Sequence, residues 1–213
     1  MRCAVCGAGG GEQLCDACRE ALPRLRPPLC GRCGAPTAWP VARCRECSGR
    51  RLAFASARAA VAYDESVRRL VAAWKERGLR RVAAEAADVT AAAVPPPPTA
   101  AAIAFVPPDR GRSLQRGYHP AEGLARELGE RWSLPVLSLL VRTGAAPRQR
   151  GSTLAQRRRN VAGAFRPAAA APSGVGLVDD VYTSGATAAA AASALRKGGA
   201  RRVEVVTFAR VVR

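Results

Sequence analysis

The sequence predicts an α/β protein, in which a parallel sheet with helices on both faces follows a small cysteine-rich metal module. All eight cysteines lie before residue 50. Beyond them, short apolar runs alternate with segments whose apolar residues recur at helical spacing, as expected for a parallel sheet. One run ends in two adjacent carboxylates and a Thr/Ser/Gly loop, which is where such sheets bind ligands. We therefore divide the chain into a module, residues 1–50, and an α/β domain, residues 51–213.

The cysteines form four pairs of the same form, Cys-x-x-Cys, and this repetition indicates metal binding. Two thiolates separated by two residues at a turn can reach one tetrahedral ion, and a cytoplasmic chain seldom keeps disulfides. Eight ligands make two Cys₄ zinc sites, whereas four copies of a redox motif would be redundant. Sequential pairing closes shorter loops and is favoured slightly over interleaved pairing, which stays open. The sequential ligand sets are Cys3, Cys6, Cys15 and Cys18, then Cys30, Cys33, Cys44 and Cys47.

Two segments of the module contain no ligands. Pro36, Trp39 and Pro40 predict a packed loop between the third and fourth cysteine pairs. Ser48 to Leu52 predicts a hinge to the α/β domain. Closed tetrahedral zinc normally stabilises a fold and catalyses nothing, so a purely structural module and a binding module are both consistent with this pattern.

The chain is strongly basic. Its 213 residues carry a formal net charge of +18 at pH 7, and all but two of the 34 cationic residues are arginines. Two filled zinc sites would bring the module close to neutrality, so the excess charge belongs to the α/β domain. Such a field favours polyanionic partners, namely nucleic acid, nucleotides or anionic lipid. Since the chain shows neither a long apolar run nor a signal peptide, we expect it in the cytoplasm.

The elements of the α/β domain follow from the spacing of its apolar residues. His119 is the only histidine and is predicted at a helix start, in the cap region and without acid–base chemistry. Lys75, taken alone, is a solvated charge on the first helix. Pro135 interrupts the third strand, and Pro95 to Pro98 end the second helix. Strands are predicted at 54–63, 101–106, 134–141, 175–178 and 202–212, and helices at 65–77, 81–94, 119–132 and 186–197.

The strongest chemical prediction concerns the strand, acidic pair, loop and helix between residues 175 and 197. The N–H groups at a helix start have no intrahelical partners and bind phosphate readily, and glycine allows close approach or a positive φ. At least one carboxylate should face the crevice and accept hydrogen bonds from sugar hydroxyls. The alternative is that both acids only begin a turn and cap the helix. The predicted phosphoribose site consists of Asp179, Asp180, Thr183, Ser184, Gly185, Ala186 and Thr187.

Arginine-rich loops follow two of the predicted strands. Guanidinium groups offer forked donors to phosphate oxygens, so these loops suit a pyrophosphate or a nucleic-acid backbone. The longer one belongs to a stretch, Arg131 to Val178, that contains no Asp or Glu. The alternative is a solvated loop. The candidate contacts to pyrophosphate or DNA are Lys75, Arg110, Arg116, Arg148, Arg157, Arg158 and Arg159.

Four motifs, in this order, resemble the ComF family of competence-associated, phosphoribosyltransferase-like proteins. They are the cysteine module, VPPDRGRSLQRGYHPAEGLA, RTGAAPRQRGSTLAQRRRNVAGAF and the acidic-pair loop, which by itself resembles the ribose-phosphate loop of type I phosphoribosyltransferases. Family features fall on Lys75, Arg110, Arg116, Gly117, Gln149, Arg157, Asn160, Gly163 and Phe165. The chain departs from many members where Tyr118, His119 and Pro120 replace Phe-Asn-Gln.

The resemblance implies a type I phosphoribosyltransferase-like fold for residues 51–213. It implies an accessory role in natural competence, assisting single-stranded DNA uptake at the cytoplasmic side of the inner membrane without a transmembrane segment, with peripheral membrane association as an option. The implied partners are single-stranded DNA, the competence helicase and recombination mediator proteins. The two acids would hold the ribose hydroxyls and the loop the 5-phosphate of phosphoribosyl pyrophosphate or a nucleotide, with Mg²⁺ if the pyrophosphate binds.

Two other functions compete with the accessory role. An active phosphoribosyltransferase would attack C1 of phosphoribosyl pyrophosphate with a nitrogen nucleophile, yet no segment identifies a pocket for the acceptor base or amine. A regulator that reads duplex DNA through the zinc module would need a recognition helix, and the sequence offers none.

Overall fold

A computed structural model describes residues 2–76, 79–108, 118–143 and 163–212. The helices are α1 (Asp16–Glu20), α2 (Glu65–Glu76), α3 (Val82–Ala93), α4 (Pro120–Trp132) and α5 (Ala186–Lys197). The strands are β1 (Ser56–Ala62), β2 (Ala102–Phe105), β3 (Leu140–Arg142), β4 (Phe165–Pro167), β5 (Gly174–Tyr182) and β6 (Arg202–Arg210). No helix among these residues is long and apolar enough to span a membrane.

Four strands form one parallel sheet in the order β1-β6-β5-β2. The central strands β5 and β6 are buried along most of their length because helices cover both faces. Their side chains form near-continuous apolar runs, as is usual for parallel strands with two covered faces. The predicted fold class, a parallel α/β sheet preceded by a zinc-ribbon-like module, is confirmed.

The two faces of the sheet carry different layers. On one face, α2, α3 and α4 enclose Trp74, Leu124 and Phe208. On the other face, α5 packs with a two-stranded antiparallel ribbon, β3 and β4, around Leu177 and Leu195. Alanine supplies much of the inner surface of α5, so the helix lies close to the sheet.

The predicted strand 134–141 is wrong over most of its length. The chain touches the edge strand β2 only briefly, where Ile103 donates to the carbonyl of Pro135 and accepts from the N–H of Leu137. It then leaves the main sheet to form β3, which begins at Leu140 and pairs with β4. The N–H that Pro135 lacks removes one hydrogen bond from any longer ladder.

The cysteine module lies across the exposed edge of β1. Between its two halves, Leu25 donates to the carbonyl of Ala60 and Ala62 donates to that of Pro23, so this edge is paired. Leu14 in the first half packs into the α2/α3 layer, while Cys47 in the second half packs into the α5 layer. An edge strand left open would invite pairing with other chains, and the module prevents this.

Two predictions for the module are wrong. The segment Ser48 to Leu52 is no free hinge, since Leu52 is buried in the core and Arg50 bonds to the loop before α5. The loop around Trp39 is not packed, because 68% of the Trp39 surface is exposed. Neither result could be predicted from the sequence, because the spacing between metal ligands does not indicate which parts of the module pack against the α/β domain.

Candidate phosphoribose site and zinc sites

The two acids lie inside β5, shortly before its end, and not after a strand as predicted. On one side β5 continues beside β6, where Asp179 is paired with Thr207. On the other side β2 stops at Phe105, which is opposite Val178. The sheet is therefore open next to the acids on the β2 side, which creates a crevice at the carboxyl ends of the strands.

Asp180 faces this crevice and forms an ion pair with Lys75. The distance between Lys75 Nζ and Asp180 Oδ2 is 2.7 Å, and only 15% of the Asp180 side chain is exposed. Burial alone would lower the pKa of Lys75, but the charge and hydrogen bond of Asp180, together with the charge of Asp179, raise it. The solvated-charge interpretation of Lys75 is therefore wrong, because this lysine from the last turn of α2 is a fixed cation of the site.

Asp179 is held in a different state from its neighbour. Burial and repulsion from Asp180 raise its pKa to about 7, against the opposing effects of Lys75, the N–H of Asp180 and Arg142. Its Oδ1 accepts a hydrogen bond of 2.9 Å from the N–H of Asp180. The pair thus combines a carboxylate neutralised by lysine with a carboxyl group that exchanges its proton near neutral pH. Both can accept hydrogen bonds from vicinal hydroxyls, and the protonated form can also donate one.

His119 occupies the N-cap position of α4, as predicted, but its side chain does not cap the helix. The ring lies 6.0 Å from the ring of Phe105, centroid to centroid. Burial lowers the pKa of His119, although the charges of Asp180 and Glu122 oppose this. Its Nδ1 is buried without a hydrogen-bond partner among the described residues. The site therefore has a neutral imidazole beside the acidic pair.

The loop after β5 leads into the start of α5, where N–H groups have no intrahelical partners. Gly185 is the N-cap of α5 with a φ of 72°, and the hydroxyl of Ser184 accepts a long hydrogen bond of 3.4 Å from the N–H of Ala186. A Cβ at this position would collide with the hydroxyl of Tyr182, so glycine is required for space as well as for φ. Thr183 is exposed, and Ser184 and Thr187 are partly buried. The first-turn N–H groups and these hydroxyls lie together at the positive end of the helix dipole.

Two arginines that the sequence did not single out connect this loop to the second half of the module, one directly and one through Tyr182. Arg50 donates a 2.6 Å hydrogen bond to the carbonyl of Ser184. Arg210, at the end of β6 and only 1% exposed, donates to the carbonyl of Cys33 at 2.5 Å and pairs with Glu46 at 2.9 Å. Its guanidinium lies 5.1 Å from the ring centroid of Tyr182. No motif identified them, because their partners are distant in sequence.

The cysteines gather in two Cys₄ sets, and the pairing is sequential. Within each set all four sulfur atoms lie within 4.8 Å of one another. In the second set, Cys30 and Cys47 are 3.6 Å apart and Cys33 and Cys44 3.5 Å apart, Sγ to Sγ. Zn–S bonds of about 2.3 Å in a tetrahedron place the sulfurs about 3.8 Å apart. The two sets therefore fit two zinc ions: Cys3, Cys6, Cys15 and Cys18, and Cys30, Cys33, Cys44 and Cys47.

In the second set, the surroundings of Cys30 favour the ionised thiolate over the thiol. Burial alone would raise the pKa of the Cys30 thiol, but hydrogen bonds from the backbone N–H groups of Cys33, Arg32 and Cys44 lower it to about 6. The N–H of Cys44 lies 3.2 Å from Cys30 Sγ. Metal ligation needs the ionised form, so these N–H groups support binding.

Among the predicted pyrophosphate or DNA contacts, only Lys75 lies within the described residues, and it joins the acidic pair. Those outside them are Arg110, Arg116, Arg148, Arg157, Arg158 and Arg159. Arg142, at the end of β3, is described and lies 5.1 Å from the ring centroid of Phe165. Its charge also acts on Asp179.

The chain is similar to the following known proteins and families, among others. Residues 1–48 match the double zinc ribbon domain. The chain is 29% identical over 209 residues to "Competence protein F" of Haemophilus influenzae, covering 92% of this chain and 90% of that protein. A crystal structure of TT1426 from Thermus thermophilus aligns with 61% of this chain and 83% of its own, at 21% identity and a TM-score of 0.38.

Proposed function

We propose that the chain is a ComF family protein and an accessory protein of natural competence, as its similarity to Competence protein F and its double zinc ribbon support. In this role it assists the handling of single-stranded DNA at the cytoplasmic side of the inner membrane. Its partners are the single strand, the competence helicase and recombination mediators. The similarity along nine-tenths of both chains is the observation that carries the proposal.

The same proposal assigns a ligand to the crevice. Asp179 and Asp180 accept hydrogen bonds from the ribose hydroxyls, and Thr183 to Thr187 hold the 5-phosphate of phosphoribosyl pyrophosphate or a nucleotide. Three features support this: the hydroxyl-rich loop at the start of α5, the positive φ of Gly185 and the opening of the sheet beside the acids. When the pyrophosphate binds, Mg²⁺ would balance its charge next to the acidic pair.

Transformation frequency tests the role directly. A Haemophilus influenzae strain lacking Competence protein F should recover transformation when this chain is expressed, and should recover less with Asp180→Asn. Failure of the wild-type chain, despite normal amounts of soluble protein, would contradict the accessory role. Glu65→Gln is the control for charge, because Glu65 is an exposed carboxylate at the far end of α2.

Calorimetric titration with phosphoribosyl pyrophosphate and Mg²⁺ tests the ligand. Asp180→Asn should lose about 1–3 kcal/mol of binding free energy, the scale of a charged hydrogen bond. Ribose without phosphate should bind poorly, since the loop supplies charge-assisted hydrogen bonds only to the 5-phosphate. Equal affinities of wild type and Asp180→Asn would mean that the loop serves only as architecture.

An active phosphoribosyltransferase is the second candidate. It is favoured by the combination of Lys75, fixed on Asp180, with the neutral His119 in the same crevice. These groups could position a nitrogen nucleophile and the departing pyrophosphate. Incubation with labelled phosphoribosyl pyrophosphate and a panel of bases and amines distinguishes the two candidates, because only the enzyme releases pyrophosphate.

A further inference from the structure

A second concave surface lies on the opposite side of α5 from the sheet. It is a groove of about 690 Å³ between the end of the zinc module and the outer surface of α5. This volume lies within the range of about 300–1,000 Å³ typical of ligand sites. Gly49 to Ala53 form one wall, Gly163 and Phe165 contribute to it, and the side of α5 from Ala186 to Lys197 forms the floor.

The groove is cationic. Arg50, Arg51 and Lys197 line it, and none of its described lining residues is acidic. Arg51 and Lys197 are exposed, and neither forms an ion pair or a side-chain hydrogen bond with any described residue. Their charges are therefore available to an anionic ligand. Arg50 is shared, because its guanidinium also bonds to the carbonyl of Ser184 in the phosphate loop.

The floor of the groove is apolar. Ala186, Ala189, Ala190 and Ala194 leave a smooth surface along the helix, and Ser193 is the polar residue among them. A ligand that fits must combine several negative charges with flat, weakly polar parts. Single-stranded nucleic acid has both properties, because each nucleotide carries a charged phosphate and the flat faces of its bases can be exposed. In a duplex the faces of the bases are stacked and cannot reach the floor.

We propose that this groove between the end of the zinc module and α5 is a binding site for single-stranded DNA, with Arg51 and Lys197 on its phosphates and the alanine floor of α5 against its bases. The inference rests on the DNA-handling function proposed above and names the surface that performs it. Because Arg50 borders both sites, DNA in the groove lies next to the ribose-phosphate loop, at the start of the same helix.

Fluorescence anisotropy with a labelled oligothymidylate tests the charges. The double variant Arg51→Gln, Lys197→Gln should bind about 10–30-fold more weakly in 0.1 M salt, with a log–log salt slope smaller by about 1.4, because each neutralised phosphate contributes about 0.7. Arg196→Gln, Arg201→Gln is the matched control. It removes two exposed cations, after or near the end of α5 in the chain, that do not line the groove, and should lose less than about threefold.

A second pair of variants tests the shape without a change of charge. Ser193→Trp should fill the groove and weaken binding about tenfold, while Ser193→Ala should bind as wild type. The melting temperature and the zinc content of each variant establish that it is folded. Retained affinity in a folded Ser193→Trp variant would contradict the assignment.

The outcomes separate this inference from the proposed function. If wild type binds the oligonucleotide but both double variants behave alike, the groove is wrong and the DNA-handling function stands. If wild type does not bind single-stranded DNA at all, both the groove assignment and the DNA-handling function are contradicted. Loss of binding to phosphatidylglycerol vesicles in the groove double variant, with DNA binding unchanged, would also overturn the inference, in favour of a lipid surface.

Discussion

At the scale of single residues, Asp179 makes the stability of this fold depend on pH. An unfolded carboxyl group of this kind ionises near pH 4, whereas burial and the charge of Asp180 raise the pKa of Asp179 to about 7 in the folded chain. Between these values the folded protein holds a proton that the unfolded chain has released. Raising the pH through this window therefore lowers the free energy of unfolding, and above about pH 7 the loss is complete.

Asp179→Asn should remove this penalty. At pH 8 we expect its free energy of unfolding to exceed that of wild type by about 1–2 kcal/mol, since one pKa unit corresponds to about 1.4 kcal/mol and solvent screens part of it. The difference should shrink towards pH 4, where the wild-type carboxyl is protonated. Urea unfolding at several pH values measures it.

The control for Asp179→Asn is Asp88→Asn, which changes an exposed carboxylate paired with Arg131. This variant should show no gain at pH 8. A loss of stability in Asp179→Asn at pH 8 would mean that the ionised carboxylate is favourable where it lies. Ligand affinity is expected to fall in Asp179→Asn even as stability rises, because sites built for a ligand often hold groups that the fold alone would avoid.

At the scale of elements, the turn from β5 into α5 depends on Gly185. Two independent constraints act there, a φ of 72° and the hydroxyl of Tyr182 in the place of a Cβ. Gly163 satisfies only the first, because its φ is 86° and nothing lies within 4 Å of a Cβ built on it. Substitution of Gly163 therefore measures the free-energy cost of the positive φ alone, whereas substitution of Gly185 measures that cost together with the steric collision.

Gly163→Ala should lose about 1 kcal/mol of stability and Gly185→Ala about 2–3 kcal/mol, since alanine pays roughly 1–2 kcal/mol in the left-handed region before any collision. Thermal and urea unfolding measure both. Adding Tyr182→Phe to Gly185→Ala should recover only part of the loss, because it removes the hydroxyl, which has no hydrogen-bond partner among the described residues, but leaves the ring carbons that also lie too close to the Cβ. Equal losses in the two alanine variants would show that the loop shifts to accept the Cβ.

At the scale of the whole molecule, the two zinc sites have different neighbours. The first half of the module contacts the α2/α3 layer through Leu14 and Leu22. The second half contacts Arg210, which lies over Tyr182, and Tyr182 in turn lies under Gly185. A continuous series of contacts thus joins the second zinc site to the phosphate loop.

Cys15→Ser and Cys33→Ser should each lose one zinc ion, with different consequences. Cys15→Ser should keep the affinity of wild type for phosphoribosyl pyrophosphate. Cys33→Ser should lower this affinity about tenfold, because without the second zinc ion the carbonyl of Cys33 is no longer held in place for Arg210, and Arg210 no longer orients Tyr182. Zinc content and calorimetric titration measure the two effects separately. Equal affinities in both variants would contradict the coupling, and loss of both ions in Cys15→Ser would indicate one joint metal site.

The sequence by itself determined the features that are local in the chain. Strand, acidic pair, loop and helix follow from neighbouring residues, so the position of α5 and the glycine at its start were predictable. The eight ligands follow from Cys-x-x-Cys, and their sequential grouping was favoured by loop length before the structure resolved it. Helix bounds agree to within one residue for α2, α3, α4 and α5, because apolar periodicity locates α2 and α4, while Pro95 follows α3 and glycines flank α5.

Only the tertiary structure decided what depends on contacts between distant parts of the chain. The partner of Lys75 on α2 is Asp180 on β5, and the partners of Arg210 lie in the cysteine module. These partners are more than 100 residues apart in the chain, so no periodicity or motif predicts that they meet. The burial that raises the pKa of Asp179 likewise exists only in the folded sheet, where β5 lies beside β6. The physical reason is that desolvation and ion pairing depend on distance in space, whereas sequence patterns record only distance along the chain.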